Sequence, residues 1–260
     1  MDFVRFDKVT LNYKRRPVLS NLSFSVYEGE FFGIVGGGRS GKTTLLRALL
    51  GILKPQSGEI VVHVRPGEAG ALLLEGGYVN LADTPGVMRF GYVPQRDSID
   101  EIFPFTVREI VRMGRLAALG AFHRPTDHDD DVVLEKLEAV GLTENIDKPY
   151  RDLSNDQKQR VLIARALAVD ARVMVLDEPV EGMNQENRRA MVKLIAEMHS
   201  QNGITIIYAT RRAEELSATA LRILFLKDGT AQVGKMEQVL QATAKSAEDS
   251  RENAVRSSQQ

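Results

Sequence analysis

The sequence contains no cysteine among its 260 residues. A disulfide scaffold, a thiolate metal site and a cysteine nucleophile are therefore excluded. It also has no excess of charge of either sign, because 34 lysine and arginine residues are balanced by 35 aspartate and glutamate residues. This balance excludes a strongly basic field over the whole protein, and we expect no nucleic-acid partner.

Long hydrophobic runs are also missing, since no apolar stretch approaches the roughly 18 residues that span a bilayer. Residues 1–7 carry charges where a secretory signal peptide has its apolar region. We therefore expect a cytoplasmic protein, which can still dock on a membrane protein. At about 100–200 residues per domain, the length predicts one large domain or one domain with an inserted subdomain.

Strands and helices alternate along much of the chain. Short apolar runs predict buried strands at 31–35, 173–176 and 204–208, and helical patterns cover 43–50, 154–168 and 186–200. This α/β alternation indicates a parallel sheet with crossover helices. Other segments are predicted as alternating strands at 3–10 and 22–27 around a polar turn at 12–17, a long hairpin or loop at 65–88, a last strand at 221–226 and a frayed or disordered tail at 241–260.

The segment that follows the strand at 31–35 matches the phosphate-loop pattern G-x-x-x-x-G-K-[ST], and a predicted helix comes directly after it. Backbone N–H groups of such a loop converge on phosphate oxygens, the lysine neutralises the β- and γ-phosphates, and the threonine hydroxyl binds Mg²⁺. The alternative is a glycine-rich turn that binds nothing. The candidate nucleotide-binding residues are Gly36, Gly37, Gly38, Arg39, Ser40, Gly41, Lys42, Thr43 and Thr44.

A second acidic site ends the apolar strand at 173–176. We expect Asp177 to hold Mg²⁺ and Glu178 to orient the attacking water, as a general base or close to one. The alternative is an Asp-Glu pair that caps the next turn. The phosphate loop alone leaves GTPase, kinase, motor and transporter ATPase open.

In the order of its motifs the chain resembles the ATP-binding subunit of an ABC transporter over about residues 3–235. Tyr13 lies where the family places an adenine-stacking ring, Gln95 ends the Q-loop sequence Tyr-Val-Pro-Gln, and Ser154 lies in the signature position 153–160. The resemblance implies a P-loop NTPase core with a mainly parallel sheet, an N-terminal antiparallel β subdomain and an inserted helical subdomain at about 96–152, all within residues 1–240. It also implies that Gln95 contacts Mg²⁺ near the transporter, and that Ser154 faces the γ-phosphate bound by an opposite subunit.

The resemblance further implies ATP and Mg²⁺ as cofactors, an integral membrane permease and a second ATP-binding subunit as partners, and a peripheral position on the cytoplasmic face of the inner membrane. Contact with the membrane would run only through the permease. Residues 102–125 look like the helical subdomain of subunits that serve zinc, manganese or iron-chelate importers, although a lipid or another cargo stays open. Homodimer and heterodimer with a paralogue also stay open.

Three motifs depart from the family pattern, at four positions. Asn155 and Asp156 replace both glycines of the signature, Asn184 replaces the D-loop aspartate, and Arg211 replaces the switch histidine. We expect the Asp156 carboxylate to weaken closure over an anionic phosphate, and Arg211 to be able to clamp the γ-phosphate in cis. The hypothesis is good ATP binding with slow or partner-dependent hydrolysis. The alternatives are a weakly hydrolysing regulatory subunit and a non-transport member of the superfamily.

Overall fold

A computed structural model describes residues 1–13, 16–65, 77–81, 83, 89–95, 103–119 and 126–238. The predicted tail at 241–260 and most of the predicted loop at 65–88 lie outside these residues. Within them, ten strands form two sheets, and five α-helices pack around the second sheet.

The first sheet is antiparallel and contains four strands, β1 Asp2–Tyr13, β2 Arg16–Tyr27, β4 Ser57–Val64 and β5 Gly77–Asn80. Their order is β2-β1-β4-β5. The turn predicted at 12–17 is too long, because Asn12 pairs with Pro17 and Tyr13 with Arg16. Proline, which has no N–H to donate, is tolerated here because β2 is an edge strand. The strand pairing therefore extends to Tyr13 and Arg16, although the register shifts between Val9 and Asn12.

The second sheet contains the strands β3 Phe31–Gly36, β6 Gly91–Val93, β7 Val173–Asp177, β8 Thr205–Thr210, β9 Arg222–Lys227 and β10 Thr230–Lys235. Their order is β10-β9-β3-β8-β7-β6, and all neighbours are parallel except the antiparallel pair β9 and β10. The mainly parallel core is thus confirmed. Strand β10 was not predicted from the sequence. It is an edge strand with few buried positions. It follows a two-residue turn at Asp228 and Gly229, and both of these residues have positive φ.

The five helices are α1 Lys42–Leu49, α2 Val107–Leu119, α3 Asp127–Ala139, α4 Asn155–Leu167 and α5 Gln185–Asn202. Helices α2 and α3 form the inserted helical part between β6 and β7, and both pack against α4. A short bridge between Thr106 and Pro149 joins the two ends of this insertion. No helix in the described part of the chain combines the length and apolarity needed to cross a membrane.

The central strands are buried on both faces, because residues alternate between two hydrophobic clusters. In β7, Met174 and Leu176 join the cluster that includes the inserted helices and α5, whereas Val173 and Val175 join the cluster under α1 and the antiparallel sheet. Two-sided burial explains why β7 and β8 are continuous apolar runs in the sequence. It also leaves only the strand ends for polar chemistry.

Four loops leave the same edge of the parallel sheet. They follow β3, β8, β7 and β6, which are neighbours in that order. Because the carboxyl ends of parallel strands meet at one edge, these loops form the place where such sheets bind ligands. This edge carries the phosphate loop, Arg211, the Asp177-Glu178 pair and Gln95.

The tight packing of Gly114 in α2 against the backbone of α4 predicts the effect of a small substitution. A Cβ atom at Gly114 of α2 would lie 2.0 Å from the backbone oxygen of Arg165 in α4. We expect Gly114→Ala to separate the helices and to lower the free energy of unfolding by about 1–3 kcal/mol, despite alanine's better helix propensity. Thermal unfolding measures this, with the exposed neighbour Met113→Ala as control. Equal melting temperatures for the wild type and Gly114→Ala would contradict the packing.

Candidate nucleotide-binding site

The phosphate loop connects β3 to α1. Gly41 is the N-cap of α1, with φ 100°, and it offers no side-chain cap to the first N–H groups of the helix. Uncapped N–H groups and the positive end of the helix dipole attract an anion. Thr43 and Thr44 lie in this first turn.

Only some of the glycines in the loop are needed for packing against the rest of the protein. A Cβ at Gly36 would lie 2.4 Å from Oγ of Ser40, and one at Gly41 would lie 2.9 Å from Cγ of Leu19 in β2. A Cβ at Gly37 or Gly38 would meet nothing within 4 Å. Open space over these two residues leaves their backbone accessible to a ligand, as a phosphate cradle requires.

Lys42 is buried below the loop. Its Nζ donates to the backbone oxygens of Gly36 at 2.8 Å and Gly37 at 2.9 Å, and it lies 3.3 Å from Oε1 of Glu178. The loop therefore holds the lysine charge at its centre, next to the acidic pair that follows β7.

Thr43 and Asp177 meet across the end of β7, where the Thr43 hydroxyl donates to Oδ2 of Asp177 at 2.8 Å. Burial raises the pKa of Asp177 above its ordinary value; the Thr43 hydrogen bond opposes this effect, and the neighbouring Glu178 charge adds to it. The other oxygen, Oδ1, is buried and has no hydrogen-bond partner among the described residues. A hydroxyl beside a carboxylate with an open oxygen fits a hard divalent cation such as Mg²⁺.

Glu178 lies between two cations. Besides Lys42, it faces Arg211, whose Nε lies 3.0 Å from Oε1 and 2.9 Å from Oε2. Glu178 has a positive φ of 50°, a conformation that costs a non-glycine residue energy and that clusters at functional sites. The sequence analysis placed Arg211 toward the γ-phosphate; the structure gives its guanidinium two carboxylate partners, Glu178 and Glu181.

Gln95 and Glu181 continue this arrangement away from the phosphate loop. Nη1 of Arg211 lies 3.2 Å from Oε1 of Glu181, and Nε2 of Gln95 donates to Oε2 of the same residue at 2.6 Å. Gln95, predicted as a Mg²⁺ contact, is thus held by Glu181. The sequence analysis missed Glu181, because an exposed acid after an acidic pair carries no motif of its own.

The two remaining predicted residues lie outside this cluster. Ser154 is the N-cap of α4, where it forms a capping box with Gln157. Tyr13 ends β1 with its ring about half exposed. The hairpin of Tyr13 packs beside the phosphate loop through Leu19, but adenine stacking itself stays a prediction.

The signature and the D-loop contact each other. The amide of Asn187 in α5 donates to the carboxylate of Asp156 in α4, and the backbone N–H of Asn187 donates to Oδ1 of Asn184 at 2.8 Å. The two departures from the family pattern, Asp156 and Asn184, therefore share one partner.

Comparison with known proteins agrees with this geometry. The family model described as ABC transporter matches residues 19–181, which is more than half of the chain. The chain belongs to the ABC transporter family. Within it, the chain is an ATP-binding subunit with the activity of an ABC-type ATPase.

Similar proteins include a manganese transport system ATP-binding protein, MntB, of Bacillus subtilis, 33% identical over 204 residues, which are 78% of this chain and 75% of the relative. A zinc transport system ATP-binding protein, AdcC, of Streptococcus pneumoniae is 32% identical over 228 residues, 87% of this chain and 90% of the relative. Among solved structures, one described as an inward-facing metal-chelate type ABC transporter has a TM-score of 0.77 at 26% identity, covering 92% of this chain and 86% of that chain. CbiO1 of Clostridium perfringens has a TM-score of 0.75 at 28% identity, covering 92% and 91%.

The raised pKa of Asp177 predicts that its ionised carboxylate lowers the stability of the ligand-free protein. A raised carboxyl pKa contributes stability at low pH that is lost as the pH rises through the folded-state pKa, because the folded chain then holds a poorly solvated charge. We expect Asp177→Asn to raise the melting temperature of the ligand-free ABC protein at pH 7. The gain should vanish below about pH 4, where aspartate is protonated in both states.

The matched control is Asp129→Asn. Asp129 is equally buried, but it forms an ion pair with Arg115 at 2.8 Å, so its neutralisation should destabilise the chain. Thermal unfolding from about pH 3 to about pH 8 checks both changes. A lower melting temperature for Asp177→Asn at pH 7 would show that the ionised carboxylate is favourable where it lies.

Proposed function

We propose that this chain binds Mg-ATP at the carboxyl edge of its parallel sheet and hydrolyses it to drive import of a metal ion or chelate by a membrane permease. The observation that carries the proposal is the convergence of Lys42, Thr43, Asp177 and Glu178 within hydrogen-bonding or ion-pair distance. Four charged or polar side chains, two from the first turn of α1 and two from the end of β7, meet at this edge, and a triphosphate with a divalent cation would satisfy all of them.

Lys42 and the first turn of α1 bind the phosphates. The lysine donates to the carbonyls of Gly36 and Gly37, and in the nucleotide-bound chain its charge would neutralise the β- and γ-phosphates. The N–H groups from Gly38 to Thr44 lie along the same loop, with Arg39 adding an exposed charge at its tip. Binding is therefore mainly electrostatic and directed by the backbone.

Thr43 and Asp177 would hold Mg²⁺, with Gln95 as a further oxygen ligand. The open Oδ1 of Asp177 and the adjacent Thr43 hydroxyl supply hard oxygen donors, and a cation would remove the cost of the buried charge. When bound, Mg²⁺ neutralises charge on the phosphate oxygens.

Glu178 would orient the water that attacks the γ-phosphate. Its carboxylate lies beside Lys42 at the phosphate loop and follows β7 directly. Arg211 engages both of its oxygens, which supports slow hydrolysis in the lone chain. The same contact favours the second candidate function, a regulatory subunit that binds ATP and hydrolyses it weakly.

The cargo and the partners are proposed from the relatives. The relatives named above are ATP-binding proteins of manganese and zinc transport systems, so a metal ion or chelate is the proposed cargo class. The partners would be an integral membrane permease and a second ATP-binding subunit, with the chain peripheral at the cytoplasmic face of the membrane. In that pair, Tyr13 would stack on adenine and Ser154 would donate to the γ-phosphate of the opposite site.

The nucleotide site is tested by two variants that should separate binding from hydrolysis. Lys42→Ala should weaken Mg-ATP binding by at least about 100-fold, because it removes a buried charge-assisted contact. Glu178→Gln should bind within about threefold of the wild type but should hydrolyse almost nothing. Calorimetry and steady-state ATPase assays, with and without the permease, measure both quantities.

The control for the lysine is Lys54→Ala, which removes an exposed positive charge beyond the end of α1. It should leave both quantities unchanged. Wild-type chain that takes up no Mg-ATP, or Lys42→Ala chain that takes it up normally, would refute the site.

The signature substitution is tested by Asp156→Gly. A carboxylate about 5 Å from a phosphate costs up to about 3 kcal/mol at an effective dielectric of about 20, so its removal should strengthen ATP-dependent dimerisation by about tenfold or more and raise turnover. Asn187→Ala is the matched control, because it breaks the contact with Asp156 but keeps the charge. Sedimentation with Mg-ATP and ATPase assays measure the effect, and unchanged dimerisation and turnover in Asp156→Gly would refute the repulsion.

A further inference from the structure

Among the ion pairs of the described residues, only those of Arg211 join Glu178 to Glu181. We propose that it is a positioning residue that latches Glu178 away from the attacking water, and that Glu181 and Gln95 hold this latch closed. The proposal rests on the proposed function, because it concerns the carboxylate assigned there to water activation. The clamp on the γ-phosphate predicted from the sequence is a different role for the same guanidinium.

Two cations contact the carboxylate of Glu178. Nε of Arg211 lies within 3.0 Å of both carboxylate oxygens, and Nζ of Lys42 lies 3.3 Å from one of them. A carboxylate that orients water must offer an oxygen to that water. Both cations therefore compete with that water for the lone pairs of Glu178 and fix the direction in which its carboxylate points, so Glu178 becomes more available to the water when a cation withdraws.

The two cations, Lys42 and Arg211, should respond differently when nucleotide binds. Lys42 belongs to the phosphate loop, so a bound triphosphate draws its charge away from Glu178. Arg211 follows β8 and has no contact with the loop among the described hydrogen bonds and ion pairs. Nucleotide binding therefore removes one restraint on Glu178 and leaves the other in place.

Arg211 is itself held by Glu181. Its Nη1 lies 3.2 Å from Oε1 of Glu181, and the second oxygen of Glu181 accepts from Gln95 at 2.6 Å. The charges alternate from Lys42 through Glu178 and Arg211 to Glu181, so each group orients the next. A displacement of Gln95 would free Glu181, loosen the guanidinium and release Glu178.

The exposure of these side chains identifies the ion pair between Arg211 and Glu181 as the part of the latch that a partner can reach. Lys42 and Glu178 are 4% and 7% exposed, whereas Arg211 and Glu181 are 46% and 42% exposed. Solvent competes for the outer ion pair, which makes it the weak member of the chain of contacts. The inner pair is protected, so the state of Glu178 is set from the side that a partner can reach.

The test compares kcat, KM and Mg-ATP affinity of the full chain and its variants. Arg211→Ala should raise kcat of the lone chain by about fivefold while the affinity changes less than about twofold, because the latch acts on the water and not on the nucleotide. Arg211→Lys keeps the charge but cannot span two carboxylates, and it should give an intermediate rate. The control is Arg212→Ala, which removes the same charge from an exposed side chain that forms no ion pair with the described residues.

The role of Glu181 in holding Arg211 is tested by removing its carboxylate. Glu181→Ala should raise kcat by about twofold, and the double variant with Arg211→Ala should be no faster than Arg211→Ala alone, because both act through one contact. Glu186→Ala, an exposed acid at the start of α5, is the matched control and should not change kcat.

The outcomes separate the latch from the function on which it rests. A lower or unchanged kcat in Arg211→Ala with intact Mg-ATP binding would overturn the latch and leave the proposed function standing. A faster Arg211→Ala with an unaffected or additive Glu181→Ala would overturn the role of Glu181 in the latch. Failure of the wild-type chain to bind Mg-ATP would overturn the proposed function, and the latch with it.

Discussion

Parallel pairing of β3, β8, β7 and β6 is the constraint on which the rest of the structure depends. These strands are covered on both faces by hydrophobic clusters, so polar groups can gather only where the strands end. Their carboxyl ends share one edge, which brings loops that are far apart in the sequence into contact. Nζ of Lys42 and Oε1 of Glu178 lie 3.3 Å apart, although more than half of the chain separates the two residues. The nucleotide site is a consequence of strand order as much as of motif.

Burial makes this edge electrostatically demanding. Lys42, Asp177 and Glu178 are all less than one-tenth exposed, and the pKa of Asp177 is raised chiefly by desolvation. Buried charges need partners, and here carbonyl oxygens, a hydroxyl and the opposite charges provide most of them. The exception is the open oxygen of Asp177. A ligand that binds the folded chain at this edge would also stabilise the fold.

Local patterns predicted the parts of this site that are contiguous in the sequence. The phosphate loop, the Asp177-Glu178 pair and the apolar strands before them are each specified by a few neighbouring residues. The contact of Arg211 with Glu178 could not be predicted, because β8 comes after β7 in the sequence but lies between β3 and β7 in the sheet. Glu181 was missed for the same reason, since its partners follow β6 and β8. Strand β10 was missed because an exposed edge strand needs no apolar alternation.

The departures from the family pattern fall into two groups that the structure joins at Glu181 and its neighbours. Arg211 acts on Glu178 and Glu181 inside one chain, whereas Asp156 and Asn184 meet at Asn187 on the surface that starts α4 and α5. Gly182 and Met183 connect Glu181 to Asn184 directly, so one short segment lies between Glu178 and the altered D-loop. A partner that moves this segment would act on both groups together. The altered residues therefore form one connected region beside an intact nucleotide site, which favours a regulated ATPase over one that has lost its chemistry.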